Sequence, residues 1–398
     1  MYNIVKLNAI SDKIVDVFGE NYNILLSHVN PDAIIVRSFV MTDYDIPAAL
    51  WAVARAGAGV NNIPVQRMTD EGVVVFNTPL ANSNAVKELV VCGMLIAARD
   101  IVASVEWSNS LSGNGEQVPK LVEKGKMRFV GTEISGKTLG IVGLGAIGVK
   151  VANCAIALGM KVVGYDPYIS EKNRAILSPD VQMAELNDML TVADFLTFHV
   201  PITTVTRKMI NADLLSKTKK GVVIINMSRS EIASIPELKA AIASGHVRKY
   251  VVDFPTDDLL GINNIIAIPH LGASTEEAED ACAIMAATQI KDFIENGNIV
   301  NSVNVPHLTV PRTTAHRVTA IYKTNTDALA QLKQILETVP HEITYCERHE
   351  IGYVIIDSNS PLHDDKFIED CSLDDKSKLS VHNRMLLISG ILRVFLIS

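Results

Sequence analysis

Apolar residues in this chain come mostly in short unbroken runs, not in alternation with polar ones. Thr138–Val142, Lys161–Tyr165, Phe195–Val200, Val222–Met227, Tyr250–Phe254 and Ile265–Ile268 are such runs, separated by stretches with helical spacing. Unbroken apolar runs predict strands buried on both faces, hence a parallel sheet covered by helices. An earlier set, Ile4–Ala9, Asn23–Ser27, Ala33–Arg37 and Val73–Asn77, predicts a smaller α/β domain. A long helix is expected from Asn84 to Leu111. Its first half is apolar (Val86, Leu89, Val90, Val91, Met94, Leu95, Ile96), as in a helix buried between domains or subunits. A helix from Ser274 to Asn296 ends at Gly297, and residues 300–306 can return the chain to the first domain.

The last part has its own pattern. Residues 307–314 read as a linker. Arg317–Lys323 is a strand, Asp327–Val339 a helix, Ile343–Cys346 and Tyr353–Asp357 a hairpin. A polar, helical segment precedes a last strand, Gly390–Ile397. That order is a ferredoxin-like β-α-β-β-α-β unit. The expected domains are 1–93 with 284–306, then 94–283, then 307–398.

Gly143-Leu144-Gly145-Ala146-Ile147-Gly148 follows the strand Thr138–Val142 and opens a helix expected at Ala152–Gly159. The next strand ends at Asp166. Strand, glycine turn, helix, strand and acid together specify a dinucleotide site. Gly143 permits the tight turn, Gly145 admits the pyrophosphate, and Gly148 lets helix and strand approach. The helix N-terminus offers N–H groups and a partial positive charge to the phosphates. Asp166 accepts from a ribose diol and repels a 2′-phosphate, which favours NAD over NADP.

Four other strand ends carry polar groups that burial does not require, and strand ends face the ligand crevice in doubly wound folds. Arg229, in Asn226-Met227-Ser228-Arg229, can grip a carboxylate with two parallel hydrogen bonds. Asp253, in Asp253-Phe254-Pro255-Thr256-Asp257-Asp258, can meet a nicotinamide carboxamide, and Asp257 or Asp258 can accept from a histidine. His270, in Pro269–Thr275, has the near-neutral pKa that proton exchange with an alcohol needs. Arg55–Asn62 offers the backbone N–H groups of Gly57, Ala58 and Gly59 to a carboxylate. Arg37 and Ser38 add a place for a second anion. Against each stands a plainer reading: a surface arginine, a solvated acidic loop, a structural histidine, ordinary turn glycines.

Composition narrows the classes. The chain has 398 residues, 48% hydrophobic and 20% charged, with a net charge of −8. No basic block suits nucleic acid, and no apolar run suits a membrane span. Cys92, Cys154, Cys282, Cys346 and Cys371 form no C-x-x-C pair. Buried thiols in a reducing cytoplasm are expected, with neither a disulfide frame nor a metal site.

Gly143–Gly148 with Tyr165-Asp166-Pro167, Asn226–Arg229, Asp253–Asp257 and Pro269–Thr275 together resemble the D-isomer-specific 2-hydroxyacid dehydrogenases. The likeness covers about residues 1–306. It implies a Rossmann cofactor domain inserted in a flavodoxin-like substrate domain. The last part is similar to an ACT regulatory domain, through Gly352–Asp357 and Gly390–Val394. By the resemblance, His270 is the acid/base, Arg229 binds substrate and Asp257 is the acidic partner. Thr78, Ala146, Ile147, Asp166, Val200, Met227, Ser228, Arg229, Asp253, His270, Leu271, Gly272 and Ala273 fall where the family meets NAD. Val36-Arg37-Ser38, Arg55–Asn62 and Asn77-Thr78-Pro79 suggest a phosphorylated 2-hydroxy acid. The implied reaction is NAD-dependent oxidation of 3-phospho-D-glycerate in serine synthesis, by a homodimer or homotetramer. Other 2-hydroxy or 2-keto acids, and a non-catalytic NAD-sensing protein, are the alternatives. Departures are the shortened loop with Asp257 where Glu is usual, Ser230 after the arginine, Leu80 for a small residue, and Lys323–Asp327 for a Pro-Gly turn. They lead to an expectation that residues 307–398 assist assembly, respond weakly to L-serine, and can be removed without unfolding the rest.

Overall fold

A computed structural model describes residues 1–337, 339–363 and 380–397. The chain divides into two compact units, Met1–Ala81 with Glu279–Ser398, and Asn82–Ala278. The expected boundaries at 93/94 and 283/284 fall inside the helices Ser83–Ala98 and Glu276–Asn296.

In the first unit, β1 (Tyr2–Leu7), β2 (Tyr22–Leu25), β3 (Ala33–Val36), β4 (Ala52–Arg55) and β5 (Val74–Phe76) form a parallel sheet. Its order is β2-β1-β3-β4-β5, the flavodoxin-like winding. β4 has no counterpart among the expected strands. Its Ala-Val-Ala-Arg is short and alanine-rich, so only its neighbours make it a strand. The helix Glu276–Asn296 supplies Ala283, Ala286, Ala287, Ile290, Phe293 and Ile294 to the core under this sheet.

The second unit holds β6 (Thr138–Val142), β7 (Lys161–Tyr165), β8 (Gln182–Met183), β9 (Phe195–Phe198), β10 (Val222–Asn226), β11 (Val247–Val252) and β12 (Ile265–Ala267). The order β12-β11-β10-β9-β6-β7-β8 is parallel throughout, and β6 is the first strand of the winding. Every strand from β6 to β12 therefore ends at the same edge. β6 and β7 have the bounds expected from their apolar runs. The glycine-turn helix is longer than expected, Ala146–Ala157, because its first turn already belongs to the fingerprint.

The long helix expected at Asn84–Leu111 is two helices, Ser83–Ala98 and Ile101–Asn109. Asp100 breaks it at φ +51°, in the left-handed region, and its carboxylate is held by Lys249 Nζ at 2.7 Å. The break is a tertiary effect, invisible to periodicity.

Residues after 307 form β13 (His316–Lys323), β14 (Glu342–Arg348), β15 (Ile351–Ser358) and β16 (Ile391–Ile397), antiparallel in the order β14-β15-β13-β16. The helices Ala328–Leu336 and Val381–Leu386 complete the expected ferredoxin-like unit. Much of the polar segment before the last strand, including Cys371, lies outside the described residues. Strand alternation splits the sheet's side chains between two partners. Val318, Ala320, Tyr322, Val354 and Ile356 face Leu332, Leu336 and Met385. Ile321, Tyr353, Ile355, Phe395 and Ile397 join the core of the first sheet, beside Phe293 and Trp51. The last domain is thus fused into the first unit by a continuous apolar layer.

Candidate active site

The glycine turn shows three different reasons for its three glycines. Gly143 sits at φ +92°, and a Cβ there would meet His199 O at 2.5 Å. A Cβ on Gly148 would meet Gly143 O at 2.0 Å, so only glycine allows the helix to start so close to the turn. A Cβ on Gly145 would meet nothing within 4 Å. Packing does not explain Gly145; space left for a ligand does. The helix Ala146–Ala157 begins there with no side-chain cap. The N–H groups of Gly145, Ala146, Ile147 and Gly148 thus face the open side of the turn without an internal acceptor among the described residues. These features fit a pyrophosphate.

Asp166 closes the turn from the next strand. Its two oxygens accept from Leu144 N and Tyr168 N, each at 2.8 Å. Each oxygen keeps a second lone pair for a diol. Val200 flanks the turn, its Cγ1 2.8 Å from where a Gly143 side chain would begin.

Asn226, fully buried at the end of β10, organises the arginine loop. Its Nδ2 donates to Arg229 O at 2.8 Å and to Tyr250 Oη at 3.1 Å. Its Oδ1 accepts from Ser228 N at 3.2 Å and Ser228 Oγ at 2.9 Å. The loop so fixed leaves Arg229 exposed, with Nη1 donating to Ser228 O at 2.6 Å. Met227 points the other way and is buried beneath the sheet against Gly93. Its side chain is therefore a packing group, and only its backbone and Ser228 remain at the edge.

Asp253, at the end of β11, is 1% exposed. Its oxygens accept from Leu271 N and Gly272 N, each at 2.7 Å. Burial pushes this carboxyl up, against those two N–H groups and nearby His270. A Cβ on Gly272 would lie 2.9 Å from Asp253 Oδ2, which accounts for that glycine. Asp253 thus clamps the loop that carries His270. Leu271 itself is largely exposed, and Ala273 follows Gly272 at the same edge.

His270 adopts φ +55°, a left-handed conformation that costs a side chain energy and needs support from its surroundings. Its ring is exposed and lies 4.8 Å from the Phe254 ring. The expected pairing with Asp257 is absent: His270 makes no ion pair or side-chain hydrogen bond to Asp257 or Asp258 among the described residues. Leu259, 1% exposed, buries itself in the core and draws the short loop back. Asp258 is turned toward Thr256 Oγ1, at 2.5 Å.

In the first unit, the ends of β3 and β4 are tied together. Asn62 Nδ2 donates to Arg37 O and Phe39 O at 3.2 and 2.7 Å, and Arg55 Nε donates to Arg37 O at 3.1 Å. A Cβ on Gly57 would stand 2.6 Å from Arg55 Nη1, so Gly57 makes room for the guanidinium. Gly57 N donates internally to Arg55 O, which removes it from the expected carboxylate nest. The N–H groups of Ala58 and Gly59 have no acceptor among the described residues. Arg37 Nη2 pairs with Glu279 Oε1 at 3.0 Å, and Ser38 is exposed beside it. Buried Cys282 reports the same cluster. Burial raises its thiol pKa, while Thr78, Arg37 and Arg55 pull it down. Thr78, expected at the cofactor, has a fully buried hydroxyl on the Cys282 side, so its side chain does not reach solvent. Among the described cysteines only Cys282 is buried; Cys92 is exposed. Asn226, Phe254, Arg55 and Glu279 were not singled out as site residues. Asn226 and Arg55 could have been found as polar ends of apolar strands.

Residues 94–272 match the family described as D-isomer specific 2-hydroxyacid dehydrogenase, NAD binding domain. The chain belongs to that family, and NAD is its cofactor class. It is similar to a D-3-phosphoglycerate dehydrogenase of Methanocaldococcus jannaschii, 37% identical over 286 residues, covering 70% of this chain and 52% of that one. It is also similar to a D-3-phosphoglycerate dehydrogenase of Mycobacterium tuberculosis, 38% identical over 299 residues, covering 73% and 54%. The chain thus spans about half the length of the curated relatives it matches. Among solved structures, a glyoxylate reductase from Paecilomyes thermophila shares the fold, with a TM-score of 0.61 at 21% identity over 76% of this chain and 98% of that one. No helix among the described residues is long and apolar enough to cross a membrane.

Proposed function

We propose that this chain oxidises 3-phospho-D-glycerate to 3-phosphohydroxypyruvate with NAD. The observation that carries the phosphorylated substrate is the pair Arg37 and Arg55, brought together at the ends of the paired strands β3 and β4, where Arg55 Nε donates to Arg37 O at 3.1 Å. An unphosphorylated 2-hydroxy acid has one anionic group, which Arg229 alone can hold. A second cationic cluster calls for a second anion. The names of the relatives point the same way.

Bound NAD would supply the hydride acceptor for the substrate carbon. The chain's own residues do the rest. Arg229 grips the carboxylate and fixes which face of the carbon is presented. His270, exposed at the end of β12, accepts the hydroxyl proton through its imidazole. The uncapped helix N-terminus and Asp166 hold the cofactor's phosphates and ribose.

A homodimer completes the reading. The helices Ile101–Asn109 and Val118–Gly125 contain no buried residue, while Val105, Met127 and Val130 are 51%, 70% and 70% exposed. Such a segment buries its apolar side chains against a second copy.

Initial rates with NAD on a panel of phosphorylated and unphosphorylated 2-hydroxy acids test the proposal. 3-Phospho-D-glycerate should give the highest kcat/KM, and His270→Ala should lower turnover by roughly 10²–10⁴ while NAD still binds. A preference for an unphosphorylated acid overturns the substrate. Near-normal turnover of His270→Ala overturns the mechanism.

A further inference from the structure

The second unit carries a strongly basic pocket at the strand starts, the opposite edge of the sheet from the glycine turn. Lys137 precedes β6, Asp194 precedes β9, Lys219 and Lys220 precede β10, and Arg248 lies at the start of β11. These residues line one cavity of about 120 Å³. That is about four times a water molecule's share of liquid volume.

Four cations meet one acid there, in a chain whose net charge is −8. The acid is already committed. Asp194 Oδ2 accepts from Thr138 N at 2.8 Å, and Oδ1 pairs with Lys219 at 3.1 Å. Burial alone would raise its pKa, but the Thr138 N–H, Lys219 and Lys137 hold it below the ordinary range. Arg248 is half-buried and has no hydrogen-bond acceptor among the described residues. Burial lowers its pKa, only partly offset by Asp100, whose carboxylate is taken by Lys249. A planar five-donor guanidinium in that position lacks the acceptor its geometry suits. Crowded like charges with an unsatisfied, partly buried donor cost free energy that a multivalent anion would recover.

We propose that this pocket binds a compact phosphate-bearing anion, either free phosphate or the phosphate end of a small metabolite. Arg248 supplies the directional contacts, and Lys137 and Lys220 supply charge. This site is separate from the reacting edge and does not depend on the proposed substrate.

Calorimetric titration of the full chain with inorganic phosphate, pyrophosphate and glycerol 3-phosphate tests it. Arg248→Gln should weaken binding of the preferred probe by about tenfold or more. Lys220→Gln, at an exposed lysine that leaves folding intact, should weaken it several-fold. Arg37→Gln should remove only the binding that belongs to the substrate cluster, and the binding lost in Arg248→Gln should persist in it, which separates the two sites. A stronger response to phosphate or pyrophosphate identifies a free anion; a stronger response to glycerol 3-phosphate identifies a metabolite. Wild type that binds none of the probes at millimolar concentration overturns the proposal. So does affinity unchanged by both Arg248→Gln and Lys220→Gln.

Discussion

Single residues decide how strongly this chain holds an anion. Glu279 pairs with Arg37 at 3.0 Å, with 45% of its own side chain exposed. A substrate phosphate at Arg37 must displace or tolerate that carboxylate. Glu279→Gln should therefore lower KM for 3-phospho-D-glycerate several-fold, since half-exposed pairs are worth up to about 1 kcal/mol. KM for an unphosphorylated 2-hydroxy acid should barely move. If both change equally, Arg37 does not read the phosphate. His199, beside the glycine turn, makes a different case. Its Nδ1 is sealed without a partner, and Nε2 lies 3.1 Å from Thr197 Oγ1. An N–H buried without an acceptor is costly, which favours the proton on Nε2. Burial lowers its pKa from 6.5 to about 4. The unfolded chain binds this proton more readily, so stability falls as pH drops from about 6.5 toward 4. The full loss is up to about 3 kcal/mol. Denaturant unfolding at pH 7 and pH 5 should show a smaller difference in His199→Gln than in wild type. An equal difference would mean the ring is not kept neutral by the fold.

At the scale of elements, the strand ends show what the sequence exposes and what it hides. β6, β7 and the glycine turn were legible to the residue, because apolar runs and glycine spacing are local. The first-turn roles of Gly143 and Gly148 were legible too, since backbone geometry alone demands them. The break at Asp100 was not, because Lys249, far along the chain, holds it. Nor was the bond between Thr256 and Asp258, in a loop whose Leu259 is buried in the core. Asp253 was legible as a functional acid, but its hydrogen bonds make it a clamp. That assignment predicts a split in kinetics. Asp253→Asn turns one acceptor into a donor facing a backbone N–H, at a cost of about 1–3 kcal/mol. The His270 loop should loosen, so kcat should fall more than NAD affinity. Equal loss of both would place Asp253 on the cofactor instead.

On the scale of the whole molecule, the last domain shares a buried layer with the first unit, which argues against the detachable module that its linker suggested. Arg317, 1% exposed, forks onto Asp357 through Nε–Oδ1 and Nη2–Oδ2 contacts of 2.7 Å each. The same guanidinium donates to Asn296 O at 2.7 Å, capping the helix Glu276–Asn296, and to Val310 O at 2.9 Å in the linker. Tyr353 Oη donates to Gly297 O at 2.7 Å. Beneath these bonds, Ile321, Ile355, Phe395 and Ile397 bury against Phe293 and Trp51. Ending the chain before residue 307 would uncover that layer on the remaining part. Each large side chain so exposed forfeits about 1.5–3 kcal/mol, and a domain's whole stability is about 5–15 kcal/mol. The truncated chain should therefore aggregate or lose cooperative unfolding, contrary to the independence expected from sequence. Arg317→Ala should approach the same result in the full chain. It leaves the Asp357 carboxylate buried and unpaired, which costs about 3–5 kcal/mol. Thermal unfolding of the truncated and Arg317→Ala proteins beside wild type decides the matter. A truncated protein that unfolds cooperatively at the wild-type temperature would return the last domain to the status of an appendage.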